Sequence, residues 1–144
     1  MSVSEGVKNF ERDKQGRAYG RPVATSDEEL VRVGPGTQGG ELLRRYWQPF
    51  ALSGDATSQP KRVRILSEDL VLFRDGAGQV GLLYPRCMHR GTDLIYGKVE
   101  QQGIRCCYHG WLFGAEGHCL EIPTEKNETL RDNIRQPWYP AEEY

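Results

Sequence analysis

Two short segments constrain this chain more than any other part of it. One is CMHRG, which carries Cys87, His89, Arg90 and Gly91; the other is CCYHGW, which carries Cys106, His109, Gly110 and Trp111. Each pairs a thiol with an imidazole, spaced C-x-H in the first and, counted from Cys106, C-x-x-H in the second. A glycine follows each histidine closely, and glycine permits the positive φ that lets backbone approach a bulky inorganic group. A fold that uses these residues together must set two such loops side by side. The vicinal pair Cys106 and Cys107 raises its own question. The C-x-x-H spacing selects Cys106, and alternation along a strand would turn Cys107 to the opposite face.

Two kinds of metal centre fit the set. A structural zinc site takes four ligands on one ion, and mixed Cys and His sets suit it. Zinc fingers tend to pair like with like, whereas each pair here is mixed. Mixed pairs suit a two-iron centre in which each loop gives its cysteine to one iron and its histidine to the other. His118, beside a turn, is expected to be unligated, and Cys119 to sit in a small core as a soft apolar residue.

Composition narrows the setting. The net charge of −1 lacks the basic surplus that nucleic-acid binding wants. Seventeen glycines and eight prolines in 144 residues fit a turn-rich β protein. No apolar run approaches the roughly 20 residues that span a bilayer, so no membrane segment is expected. The N-terminal stretch has no apolar core of a secretory signal, which points to the cytoplasm. Four cysteines there suggest metal or redox chemistry.

Along the chain, residues 1–24 are polar and aperiodic and are expected to form a flexible arm, with one domain over 25–144. Ser26 and Glu29 form a capping-box pattern for a short helix, which Gly34-Pro35-Gly36 should end. The acidic run Asp27–Glu29 reads as its solvated start. Leu42, Leu43, Tyr46 and Trp47 stand at helical spacing before Pro49, with the aromatics expected in the core. From Lys61 the period becomes two. Val63 and Ile65 share a face, and DLVLFRDGAGQVGLLY predicts two strands joined by a turn at residues 75–78. Two short strands should flank Cys106 and Trp111. GAEGH should turn tightly into a strand at CLEIP, and the tail from Asn133 should be irregular. The fold class is all-β: a small antiparallel domain behind a short helical lead-in.

The segments CMHRG and CCYHGWLF resemble a Rieske [2Fe–2S] domain. The flanks VGPGTQGGELLRRYWQPFALS and VRILSEDLVLFRDGAGQVGLLYPRC are similar to the N-terminal region of ring-hydroxylating oxygenase α subunits, of the phthalate-dioxygenase-like type. The resemblance runs from about Asp27 onward and departs at Met88, where the family usually carries proline. It implies a cluster held by Cys87, His89, Cys106 and His109. Arg90, Gly91, Tyr108, Gly110 and Trp111 would stand around it. Arg90 would brace the loop or meet an acidic partner, and Trp111 would shield the cluster or pack in the core. Two neutral imidazoles leave the oxidised cluster near zero charge, above plant-type ferredoxins in potential. The first loop has no second cysteine, and Trp111 replaces a serine found in the high-potential type. A low-potential, oxygenase-like cluster is therefore expected.

The family also implies partners. A flavin or iron–sulfur reductase would donate electrons. An oxygenase catalytic domain, or the neighbouring α subunit, would accept them. The mononuclear Fe(II) of that domain needs two histidines and a carboxylate. Three histidines in this chain cannot supply both sites, so the catalytic domain is expected to be absent from it. Two further readings stay open: a free-standing Rieske ferredoxin and a zinc-stabilised interaction module. The helical lead-in GELLRRYWQPF favours the oxygenase over the ferredoxin.

Overall fold

The computed structural model describes residues 27–123, 125 and 128–144. The expected arm over residues 1–24 and the capping residue Ser26 lie outside them. Strands β1 (Lys61–Ile65), β2 (Glu68–Arg74) and β3 (Val80–Leu83) form one antiparallel sheet in that order. Strands β4 (Lys98–Val99), β5 (Ile104–Arg105), β6 (Leu112–Phe113) and β7 (Cys119–Glu121) form a second, also antiparallel. Three short α-helices accompany them among the described residues: α1 (Glu28–Val31), α2 (Gln38–Leu43) and α3 (Glu128–Asp132). The small antiparallel architecture behind a helical lead-in is the one expected. Among the described residues no helix is long and apolar enough to cross a membrane.

β2 explains the two cores. Successive side chains of a strand point to opposite faces. Val71 and Phe73 pack with Leu83, Leu94, Ile104 and Phe113 on one side, while Leu70 and Leu72 pack with Ala56 and Leu82 on the other. Both faces are covered, so residues 70–73 at its centre are apolar without a break. Val63 and Ile65 lie against the second core, as their alternation predicts. The first core matters more for the site, because Cys87, Cys106 and Cys119 belong to it.

Leu66 and Ser67 join β1 to β2 in a two-residue turn, with φ of 46° and 65°. Positive φ at both central positions suits Asn-Gly, not Leu-Ser. Replacing the pair by Leu66→Asn and Ser67→Gly is expected to raise stability by about 1 kcal/mol, read from urea unfolding. The next turn closes on Asp75, whose buried carboxylate accepts from Gln79 N–H at 2.9 Å and from Gly103 N–H at 3.1 Å. Gly76 N–H and Ala77 N–H donate to the carbonyls of Glu100 and Gln101. This turn therefore ties the first sheet to the second.

Surface carboxylates are held low by basic partners. Arg74, with Ser53 behind it, holds Glu143 down to about 2. Lys61 lowers Asp55, Arg64 lowers Asp69 and Arg105 lowers Glu100. A depressed pKa adds stability above the ordinary carboxylate range and loses it as pH falls through the folded value. Melting temperature is expected to drop as pH falls from about 4.5 toward 2, and less steeply in high salt.

The lead-in differs from its sequence pattern. Asp27 caps α1, its side chain accepting from Glu29 N–H, and the helix ends at Val31, before Gly34. Thr37 Oγ1 donates to the Arg32 and Gly34 carbonyls, turning the chain at once. α2 ends at Leu43, well before Pro49. Gln48 Nε2 donates to the Leu43 carbonyl, and Arg44 reaches Val33 O, Leu66 O and Glu68. Those contacts draw the chain out of the helix. Tyr46 and Trp47 consequently stand 66% and 59% exposed, not in the core. They border an open apolar groove of about 660 Å³ over the second core.

The tail is more ordered than expected. Cys119 N–H donates to Ile134 O, and Gln136 N–H to Gly117 O. Further on, Tyr84 N–H donates to Pro137 O, and Tyr139 N–H to Leu82 O. Residues 134–139 thus form a strap that pairs first with the edge of the second sheet and then with β3.

Candidate metal centre

The two singled-out segments fold into matched loops. In the first, Cys87 N–H donates to Thr92 O at 2.9 Å and Gly91 N–H donates to Cys87 O at 2.8 Å. In the second, Cys106 N–H donates to Trp111 O at 2.8 Å and Gly110 N–H donates to Cys106 O at 3.1 Å. An antiparallel pair stands at the mouth of each, Arg86 with Asp93 and Arg105 with Leu112. Gly91 and Gly110 occupy the same place in the two loops, with φ of 71° and 74°. No atom lies within 4 Å of a Cβ built on Gly91, so the dihedral and not space calls for glycine there. The histidines fall one position apart in equivalent frames, which is why the spacings differ.

This frame sorts the donors by depth. Cys87 and Cys106 are 3% and 4% exposed and lie together in the first core. Burial pushes the Cys87 thiol up to about 11, and the neighbouring Cys106 adds to the shift. His109 is exposed and His89 half-buried, with ring centroids 4.6 Å apart in an edge-on arrangement. Desolvation, followed by the nearby His109 and Arg90, lowers the His89 pKa and favours the neutral ring that metals bind. Trp111 stacks on His89, 4.4 Å away and 2° from parallel. Tyr108 lies tilted over His109 at 3.7 Å. Met88 and Arg90 are exposed at the tip of the first loop.

Cys107 faces solvent, but not by strand alternation: β5 ends at Arg105, and Cys107 opens the turn of the second loop. Cys119 is buried in the first core and His118 is exposed near Glu116. Among the described residues, no three His, Cys, Asp or Glu side chains gather for a single ion. The four donors instead form a buried sulfur pair and an outer nitrogen pair. Two thiolates for one iron and two imidazoles for another is the donor chemistry of a binuclear centre of mixed ligation. The residues fit that group.

Two residues that sequence reasoning passed over hold the loops. Arg105 Nη1 donates to Gly110 O at 2.6 Å, while its other nitrogens pair with Glu100 and Glu121. These partners push its pKa up and keep a fixed cation under the second loop. Gln136, 0% exposed, reaches the first loop from the strap. Its only signal is its place between Ile134 and Trp138, at alternate positions that pack inward.

The family model for the Rieske [2Fe-2S] domain matches residues 46–140. The chain belongs to that family. It is 57% identical over 142 residues to phenoxybenzoate dioxygenase subunit alpha of Ectopseudomonas oleovorans, covering 98% of this chain and 35% of that protein. It is 40% identical over 108 residues to the phthalate 4,5-dioxygenase oxygenase subunit of Pseudomonas putida, covering 72% and 25%. Among solved structures, the reduced complex between oxygenase and ferredoxin in carbazole 1,9a-dioxygenase aligns with a TM-score of 0.57 at 27% identity, covering 68% of this chain and 26% of the other. The Rieske chain spans about a third or less of the length of these relatives. Membership in a [2Fe–2S] family answers the choice left between iron and zinc, and the relatives carry the resemblance to oxygenase subunits, phthalate type included.

Proposed function

We propose that Cys87 and Cys106 hold one iron of a Rieske [2Fe–2S] cluster and His89 and His109 the other. We further propose that the chain carries electrons into an aromatic-ring-hydroxylating oxygenase. The observation that carries this reading is the depth sorting: two neighbouring thiols buried in the core, two imidazoles further out, one half-buried and one exposed. When bound, such a cluster supplies a one-electron carrier at a potential set by its ligands and their hydrogen bonds.

The chain's own residues arrange the rest. The core around Cys87 and Cys106 keeps water from the sulfur side. Trp111 covers one face of His89 and fixes the ring plane, while the exposed edge of His109 offers a short path to a docked protein. Arg105 and Gln136 hold the backbone of the two loops. A flavin or iron–sulfur reductase, or a ferredoxin, is the donor this surface would meet. An oxygenase catalytic domain, of the same or a neighbouring subunit, is the acceptor. Support comes from the carbazole oxygenase, which is seen in complex with a ferredoxin.

Anaerobic purification with iron, sulfide and EPR analysis tests the reading. Two irons and two sulfides per chain, with a reduced Rieske spectrum, are expected. Folded protein without them overturns the cluster assignment. Trp111 in place of a sulfur-bonding serine leads to a low potential, and a value in the respiratory range would refute that part.

A further inference from the structure

We infer that Gln136 is a positioning residue for the first cluster loop, clamping the peptide between Cys87 and Met88 from the strap. The inference rests on the Rieske reading of the site.

Its geometry is complete. Gln136 Nε2 donates to Tyr84 O and Arg86 O, both at 2.8 Å, and Oε1 accepts from Met88 N–H at 2.9 Å. Two carbonyls and one N–H admit only this orientation of the amide. The three groups belong to alternate residues, so the carboxamide stands where a neighbouring strand's peptides would pair with the chain entering the loop. The peptide after Cys87 is thereby held at both ends. Its carbonyl accepts from Gly91 N–H and its N–H donates to Gln136. That peptide lies between the two donors of the loop and sets where Cys87 Sγ and His89 project.

Energetics favour a geometric role. A buried amide with all its bonds made adds little over an apolar side chain of the same size, and leaving one bond unmade is costly. A core that needed only volume at this position would take methionine or leucine. The second loop shows the contrast. Its matching peptide has Gly110 N–H on the Cys106 carbonyl, but no side-chain acceptor takes Cys107 N–H among the described residues. The clamp belongs to the first loop alone. The strap itself is seated closely, since a Cβ on Gly117 would lie 2.1 Å from Gln136 O. Movement of residues 134–139 would therefore reach the cluster loop through one side chain.

The test compares Gln136→Met with Leu72→Ala, a change in the other core. Both proteins are purified with the cluster. Reduction potential, EPR line shape and the rate of iron loss to a chelator are measured, with thermal stability as the reference. Gln136→Met is expected to lose iron at least tenfold faster than wild type, with a shifted potential and altered lines. Leu72→Ala should keep the wild-type potential and lines however far its melting temperature falls. Wild-type values in Gln136→Met would overturn the inference. Should that variant not fold, hydrogen exchange on the wild-type holoprotein decides. The Met88 amide should exchange at least 100-fold more slowly than its twin at Cys107, and equal rates would overturn the clamp. Wild-type protein without iron and sulfide would instead refute the Rieske reading, leaving the exchange comparison to judge the clamp on its own.

Discussion

Cys106→Ser is expected to purify without a two-iron cluster, and Cys107→Ser with a full one. The two residues are neighbours in sequence and opposites in setting. Cys106 is buried in the first core beside Cys87, with its N–H and carbonyl both engaged in the loop frame. Cys107 is exposed and outside that frame. Replacing Cys106 removes one of the two buried sulfur donors, and a serine oxygen is a poor substitute for sulfur on iron. Replacing Cys107 removes a solvent-facing thiol. Iron and sulfide content should fall to background in the first variant and match wild type in the second, with an unchanged EPR spectrum. The reverse result would mean that both loops use C-x-H spacing, and the donor assignment would then be wrong.

The metal-binding pattern was legible because it is local. Each loop is closed by bonds within six residues, so Cys, His and Gly stand at spacings that a linear reading can recognise. The strands were legible for a similar reason. β2 alternates between two cores, and the turn at Asp75 is written in neighbouring residues. Distant partners were not legible. Arg44 leaves its helix for Leu66 O and Glu68, and Tyr46 and Trp47 go to the surface with it. Helical spacing of those aromatics carried no trace of that pull. Gln136 acts on residues about fifty positions earlier in the chain. A lone glutamine before a proline gives no sign of such reach. Cys107 came out on the side that strand alternation implies, but by another route, since the strand had already ended.

Gly103→Ala is expected to destabilise the domain by about 4 kcal/mol or more, which is most of the stability of a small domain. Gly78→Ala separates the causes. The two glycines have nearly the same dihedral, φ of 87° and 89°. A side chain in that region costs about 1–2 kcal/mol wherever it occurs. A Cβ on Gly78 meets nothing within 4 Å, so that cost should be its whole effect. A Cβ on Gly103 would lie 2.0 Å from Phe113 O and 2.7 Å from its carbonyl carbon, and backbone in a sheet cannot withdraw. Gly103 N–H also donates to buried Asp75, so the strand cannot retreat without breaking the tie between the sheets. The strain falls at the root of the β5–β6 hairpin, whose loop carries Cys106 and His109. Chemical denaturation should show the two variants at least 2 kcal/mol apart, the excess being the close contact. Equal losses in both would mean that β5 and β6 can part at Gly103 without cost, and the hairpin would not be the rigid base of the second loop.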